Sequence, residues 1–225
     1  MNCSLLTDFY ELTMMQGYFF NCPDDRSVFE MFFRRQPFQG GYTVFAGLGP
    51  LLQALDGLHF TEEEIDYLES RSVFKNEFLD YLSGFRFRGD IHSVPEGTVV
   101  FPNEPLLRVR GNLMEAQMIE SVVLNHINFQ SLIATKTARI VSVAGEKPVM
   151  EFGLRRAQGT NGALAATRAA FIGGASSTSN TLAGKMYGIP VSGTMAHSWV
   201  MNFDSELEAF RKYAALYPDR CVLLV

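Results

Sequence analysis

A chain of 225 residues, 47% hydrophobic and 19% charged, holds enough apolar material for one large domain or two small ones. Its formal charge of −5 leaves no dominating basic stripe. That argues against a nucleic-acid binder and requires any anionic substrate to be held by local clusters.

Thr7 or Asp8 is expected to cap a first helix that runs to about Phe20, with Glu11 bonding back to the Asp8 amide. Phe29, Met31 and Phe33 alternate with Glu30 and Phe32, which reads as a strand over 27–35. Gly40-Gly41 makes a turn and 48–55 a short helix. Thr61 caps another helix, with Glu62, Glu63 and Glu64 where the helix dipole favours acids. Residues 82–110, punctuated by Pro95-Glu96-Gly97 and Pro102-Asn103-Glu104-Pro105, read as strands and turns. From Leu113 to Val143 apolar residues keep helical spacing without Gly or Pro, giving a long helical segment, continuous or broken.

Past Ala144-Gly145-Glu146-Lys147-Pro148 the grammar becomes strand, helix, strand, helix. Strands are expected at 148–152, 175–179, 189–193 and 221–225, and helices at 162–172, 181–187 and 204–216. The fold class is therefore α/β. An N-terminal α+β domain with a long linking helix (1–145) is followed by the start of an irregular, TIM-like α/β barrel (146–225). About four parallel strands cannot close the usual barrel of eight. Arg220 to Val225 reads as a buried parallel strand with nothing to cover it. The chain is accordingly expected to be a truncated piece of something longer.

Cys3, Cys22 and Cys221 are odd in number, far apart and not in metal-ligand spacing, so no disulfide framework is expected and a reducing cytoplasm is the simplest location. Neither a signal peptide nor an apolar stretch of the ~20 residues that span a bilayer is read, so no membrane association is expected.

In parallel α/β folds the chemistry sits at the carboxyl ends of strands. Glu151-Phe152-Gly153-Leu154-Arg155-Arg156-Ala157-Gln158-Gly159 follows one such strand, and Ser192-Gly193-Thr194-Met195-Ala196-His197-Ser198 follows another. Phe152 offers a face for a planar ring. Arg155 and Arg156 are either surface arginines in exposed ion pairs or forks that match carboxylate or phosphate oxygens, and the Gly-flanked setting favours the latter. His197 is either a structural histidine or an acid, base or nucleophile among amides suited to phosphate. His59, His92 and His126 read as exposed, turn and packing residues, and no second ligand stands at metal spacing from His197.

Ser179 and Asn180, in a hydroxyl-rich run after Gly173-Gly174, line a pocket, cap the next helix, or do both. No phosphate loop of the G-x-x-x-x-G-K-[ST] type occurs. Arg34 and Arg35, before Gly40-Gly41, and Lys136 with Arg139, one helical turn apart, are either solvated faces or phosphate contacts. Tyr10 on the first helix reads by default as a core aromatic.

Leu6-Thr7-Asp8-Phe9-Tyr10-Glu11-Leu12-Thr13-Met14, the run Phe32-Phe33-Arg34-Arg35 to Gly40-Gly41, Glu151 to Gly159, and Gly193 to Ser198 together resemble the nicotinate phosphoribosyltransferases. The resemblance runs in order from about residue 5 to residue 225. It implies that nicotinate is joined to the ribose 5-phosphate of phosphoribosyl pyrophosphate, giving nicotinate mononucleotide and pyrophosphate in the first step of NAD salvage from nicotinate. It implies that ATP hydrolysis drives the step through a phosphorylated His197. Phe152 and Tyr10 would sandwich the pyridine ring, Tyr10 coming from the second subunit of a head-to-tail homodimer. Arg155 would hold the substrate anion, with Thr194, Ser179 and Asn180 along the nicotinate pocket. An amide at Asn180, where the nicotinamide-using relative has an acid, favours nicotinate. Arg34 or Arg35, Lys136, Arg139 and Arg156 would meet the phosphates. No metal ligand is assigned within this segment; those for Mg²⁺ are expected beyond Val225. The alternatives are a nicotinamide- or quinolinate-using relative and a non-catalytic fragment that only associates with a longer subunit.

Overall fold

The computed structural model describes residues 3–224. Helix α1 (Phe9–Asn21) starts after Asp8, but no side chain caps it. The Asp8 amide donates instead to Ser121 Oγ at 3.3 Å, and Glu11 accepts from Thr7 Oγ1 at 2.5 Å and Ser121 Oγ at 3.1 Å. The expected local bond from Glu11 to Asp8 is thus displaced by a hydroxyl from far along the chain, because α1 packs where that hydroxyl reaches both groups.

Strand β1 (Arg26–Met31) stops four residues short of the expectation. Its partner β5 (Leu107–Asn112) pairs with it from Arg26↔Asn112 to Met31↔Leu107, and Pro105, just ahead of β5, has no N–H with which to extend the ladder. With β3 (Asp90–Ser93) on the other side of β5, the antiparallel order is β1-β5-β3. Phe29 shares a face with Met31 yet stays exposed, since that end of the sheet borders an open groove.

The short pair β2 (Thr43–Val44) and β4 (Val99–Val100) forms a second antiparallel sheet. Helix α2 (Leu48–Asp56) begins where expected, after Gly47 at φ 108, whose missing Cβ would lie 2.4 Å from the His126 carbonyl oxygen. The expected cap at α3 (Glu62–Glu69) is a full capping box: Glu64 N–H donates to Thr61 Oγ1, and Glu64 Oε2 accepts from the Thr61 amide. Helix α4 (Asn76–Ser83), not among the expected elements, buries Phe78, Leu79 and Leu82.

The long helical segment is broken once, at Ile119 (ψ 0), into α5 (Leu113–Met118) and α6 (Glu120–Ala144). The main core lies among β1, β3, β5 and α1 to α6, with Phe45, Phe78, Leu51, Ile119 and Ile127 fully enclosed. Further along α6, Ser131 and Thr135 satisfy the backbone beyond the β2 ladder. Ser131 Oγ accepts from Ala46 N at 3.0 Å and donates to Ala46 O at 3.1 Å, while Thr135 Oγ1 accepts from Val44 N at 2.8 Å. Such buried groups are costly if left unpaired.

The same helix supports α7 (Gly159–Ile172), which follows β6 (Met150–Glu151). Strand β7 (Ser177–Thr178) lies parallel to β6, α8 (Thr181–Tyr187) follows, and Val191 makes a parallel bridge to Thr178. The βαβ grammar is therefore present, but 148–152 contracts to two residues and 189–193 to one bridge. His197 opens a short helix, α9 (His197–Met201), and does not sit in a loop. After α10 (Glu206–Leu216) the expected buried strand at the end of the chain does not form: Val222 is 51% and Leu223 39% exposed. Apolar composition alone makes no strand, and among the described residues none offers 221–224 a ladder. Val225 lies outside the described residues. The architecture is mixed helix and strand, and no helix is long and apolar enough to cross a membrane among the described residues.

Candidate active site

The order β6-β7-Val191 sets three strand ends side by side: the turn Phe152–Arg156, Ser179 with Asn180, and the segment 192–197. The arginine turn and the histidine segment do not follow immediate neighbours, because β7 stands between them. Two strand spacings separate their roots by about 10 Å.

Beneath these ends lies a buried polar ring. Glu151 Oε2 accepts from Thr178 Oγ1 at 2.6 Å and from Thr167 Oγ1 at 3.0 Å. Thr178 Oγ1 in turn accepts from the Asn180 amide at 2.9 Å, and Thr167 Oγ1 from Asn180 Nδ2 at 3.2 Å. Asn180 closes the ring and also caps α8, its Oδ1 accepting from Ala183 N at 3.2 Å. Thr167, Thr178 and Asn180 are almost fully buried. Capping is thus what the Asn180 side chain does in this chain. Sequence reasoning gave Glu151, Thr167 and Thr178 no role. A glutamate at the end of an apolar strand was the available signal, but its partners lie 16 and 27 residues away and only the fold joins them.

Above the ring, Phe152 is 47% exposed. Arg155 and Arg156 lie exposed in a single 3₁₀ turn (Leu154–Arg156), and neither forms an ion pair among the described residues. Thr194 Oγ1 donates to the Val222 carbonyl at 2.7 Å, tying the histidine segment to the end of the chain. His197 is exposed at the first turn of α9.

The other candidates fall elsewhere. Tyr10 and Arg34 line a groove of about 780 Å³ with Phe29, Phe32, Glu120 and Asn125, and no residue of the parallel strand ends lines it. The Tyr10 hydroxyl is held above its ordinary pKa by desolvation first, then by the carboxylates of Glu11, Asp8 and Glu120. It therefore remains a neutral phenol at physiological pH. Arg35 is exposed beside this groove without lining it. Lys136 lies over the Phe38 ring, its Nζ 5.9 Å from the centroid, and Arg139 Nη1 donates to the Phe38 carbonyl at 3.1 Å. These two cations therefore gather at the turn that follows Arg34-Arg35. Among the described residues no group of three or more acids, histidines or cysteines gathers to hold a metal.

Residues 5–128 match the model of the nicotinate phosphoribosyltransferase (NAPRTase) N-terminal domain. Nicotinate phosphoribosyltransferases of Mycobacterium tuberculosis and Bacillus subtilis are each 46% identical to the chain, over 98% and 99% of it and over 48% and 45% of their own lengths. The chain thus spans about half the length of the curated relatives it matches. The crystal structure of human nicotinic acid phosphoribosyltransferase superposes with a TM-score of 0.81 at 39% identity, covering 88% of this chain and 40% of that one. A nicotinate-nucleotide pyrophosphorylase from Pyrococcus furiosus shares the fold at a TM-score of 0.80 and 23% identity, covering 98% of this chain and 49% of that one.

Proposed function

Because the chain belongs to the nicotinate phosphoribosyltransferase family, we propose that it forms part of an active site joining nicotinate to phosphoribosyl pyrophosphate. The products are nicotinate mononucleotide and pyrophosphate, and the step begins NAD salvage. The observation that supports this best is the turn Phe152–Arg156: one exposed aromatic face and two uncommitted guanidinium groups at the carboxyl end of a parallel strand. Arg155 takes the nicotinate carboxylate in a bidentate grip, and Phe152 stacks on the pyridine. Arg156 and, on the N-terminal side, Arg34 or Arg35 with Lys136 and Arg139 take phosphate oxygens.

The reaction passes through a state with oxocarbenium character at ribose C1, as glycoside cleavage does. The pyridine nitrogen is a weak nucleophile, so holding the ring in line with C1 supplies much of the acceleration. Arginines stabilise the charge that builds on departing pyrophosphate. Mg²⁺ would add to that stabilisation, though the described residues offer it no ligand cluster. Tyr10 lines a groove to which Phe152 does not contribute, and a head-to-tail dimer with shared sites, one subunit lending Tyr10 to the other, brings the two together.

ATP phosphorylates His197 and leaves as ADP, adding up to about two negative charges at a strand end two strands away from the one that carries Arg155 and Arg156. That charge alters affinity for the anionic donor. Thr194 and Ser179 border the nicotinate, and Asn180, held in the ring beneath them, brings a neutral amide where an acid would repel the substrate carboxylate. Residues 146–225 read as the opening of an irregular α/β barrel after a boundary near 145, in a cytoplasmic enzyme.

Purified protein supplied with nicotinate, phosphoribosyl pyrophosphate and Mg-ATP should release nicotinate mononucleotide, and should choose nicotinate in competition with nicotinamide and quinolinate. Preference for nicotinamide would overturn the assignment of the acid as substrate. Failure with all three pyridines would overturn the activity.

A further inference from the structure

We infer that Glu151 is the positioning residue of the arginine turn, acting through the hydrogen-bonded ring that joins it to Thr167, Thr178 and Asn180. The inference rests on the reading above that this turn holds the substrate anion. Both arms of the ring run from Asn180 to the same carboxylate oxygen. The Asn180 amide donates to Thr178, which donates to Glu151; Asn180 Nδ2 donates to Thr167, whose single hydroxyl proton is shared between Glu151 at 3.0 Å and the Ala163 carbonyl at 2.9 Å. Each arm ends on the Glu151 side chain, and bonds chained in this way polarise one another. The members come from β6, β7, α7 and the cap of α8, so the carboxylate joins four separate stretches of chain.

The other oxygen carries the consequence outward. Glu151 Oε1 accepts from the Gly153 amide at 2.5 Å, the residue directly before the turn that bears both arginines. A Cβ on Gly153 would stand 3.0 Å from that oxygen, so the glycine permits the close approach. Orientation of the turn is thus referred through one carboxylate to β7 and α8.

Charge points the same way. Glu151 stands four and five residues before Arg155 and Arg156, yet no ion pair forms with either. Three neutral donors occupy its oxygens instead. The carboxylate therefore fixes the turn without neutralising the guanidinium groups it presents.

Three variants test this: Glu151→Gln, Thr178→Val and Thr178→Ser. Val is nearly isosteric with Thr but cannot donate; Ser donates but lacks the methyl group. Glu151→Gln and Thr178→Val should each raise the nicotinate KM about tenfold with kcat within about threefold, and together should do little more than either alone. Thr178→Ser should stay within about twofold of the parent. An unchanged KM in Glu151→Gln, or a Ser variant as impaired as the Val variant, overturns the inference, the second by making packing the cause.

If the parent protein forms no nicotinate mononucleotide, the functional reading fails by itself, and hydrogen exchange decides the positioning role. Glu151→Gln should speed exchange of the Gly153 amide by about tenfold or more while the thermal midpoint barely moves. Unaltered protection there overturns it.

Discussion

Arg168 grips Glu96 through two parallel hydrogen bonds, Nη2 to Oε2 at 2.6 Å and Nη1 to Oε1 at 2.8 Å. Arg168 belongs to α7, beneath the candidate site; Glu96 belongs to the Pro95-Glu96-Gly97 turn of the N-terminal half. Glu96 Oε1 also accepts the amides of Gly47 and Leu48, at 2.6 and 3.0 Å, at the start of α2. One carboxylate therefore joins a turn, the N-terminus of one helix and the side of another. Its charge is well placed at that helix end.

This pair sets a pH-dependent stability. Burial pushes the Glu96 carboxyl upward, but the Arg168 hydrogen bonds, the Gly47 amide and the guanidinium charge outweigh it and hold the acid below its ordinary range. The pair's contribution is therefore complete above the ordinary carboxylate pKa and is lost as pH falls through the lowered one. Glu96→Gln should cost about 2 kcal/mol near neutrality, since both side chains are about one-fifth exposed. Thermal midpoints of parent and variant should converge as pH is lowered below the carboxylate range. A gap that stays constant with pH would remove the ionic explanation.

Gly173 lies where α7 ends against α6. A Cβ there would come within 2.4 Å of the Ala134 carbonyl oxygen and 2.9 Å of Thr137 Cβ. Neither the backbone oxygen nor the packed helix can give way cheaply. Gly173→Ala should destabilise the protein by about 1–3 kcal/mol, measured by denaturant unfolding.

Among the described residues Arg155 and Arg156 carry no ion pair, so truncating either should leave the unfolding free energy within about 0.5 kcal/mol. Arg155→Ala should raise the nicotinate KM, and Arg156→Ala that of phosphoribosyl pyrophosphate, each about tenfold or more. Initial-rate kinetics in both substrates separate the two; an exchanged pattern would swap their assignments.

His197 is exposed at the head of α9, and its replacement should likewise leave folding intact. His197→Ala should abolish stimulation by ATP and incorporation of label from γ-phosphate-labelled ATP, while slow ATP-independent turnover survives. Full ATP coupling in this variant would show that another residue carries the phosphoryl group.

Local chemistry alone determined much of this protein. The Thr61 capping box, the starts of α2 and α8, the strand–helix alternation after residue 145 and the two Gly-flanked motifs at strand ends are all legible in sequence, because each depends on residues a few positions apart. The helix at 76–83 carries such a signal too, in the spacing of Phe78, Leu79 and Leu82. Other features required the chain to be folded: the partners of Glu151 at 167 and 178, the clasp between Glu96 and Arg168, and the replacement of a local cap at Asp8 by Ser121. The apolar end at 221–224 shows the reverse limit, since a strand needs a neighbour and composition cannot supply one. Turns and caps are short-range hydrogen bonding, which neighbouring residues specify; a polar network or a strand ladder is specified by which distant groups the packing brings within 3 Å.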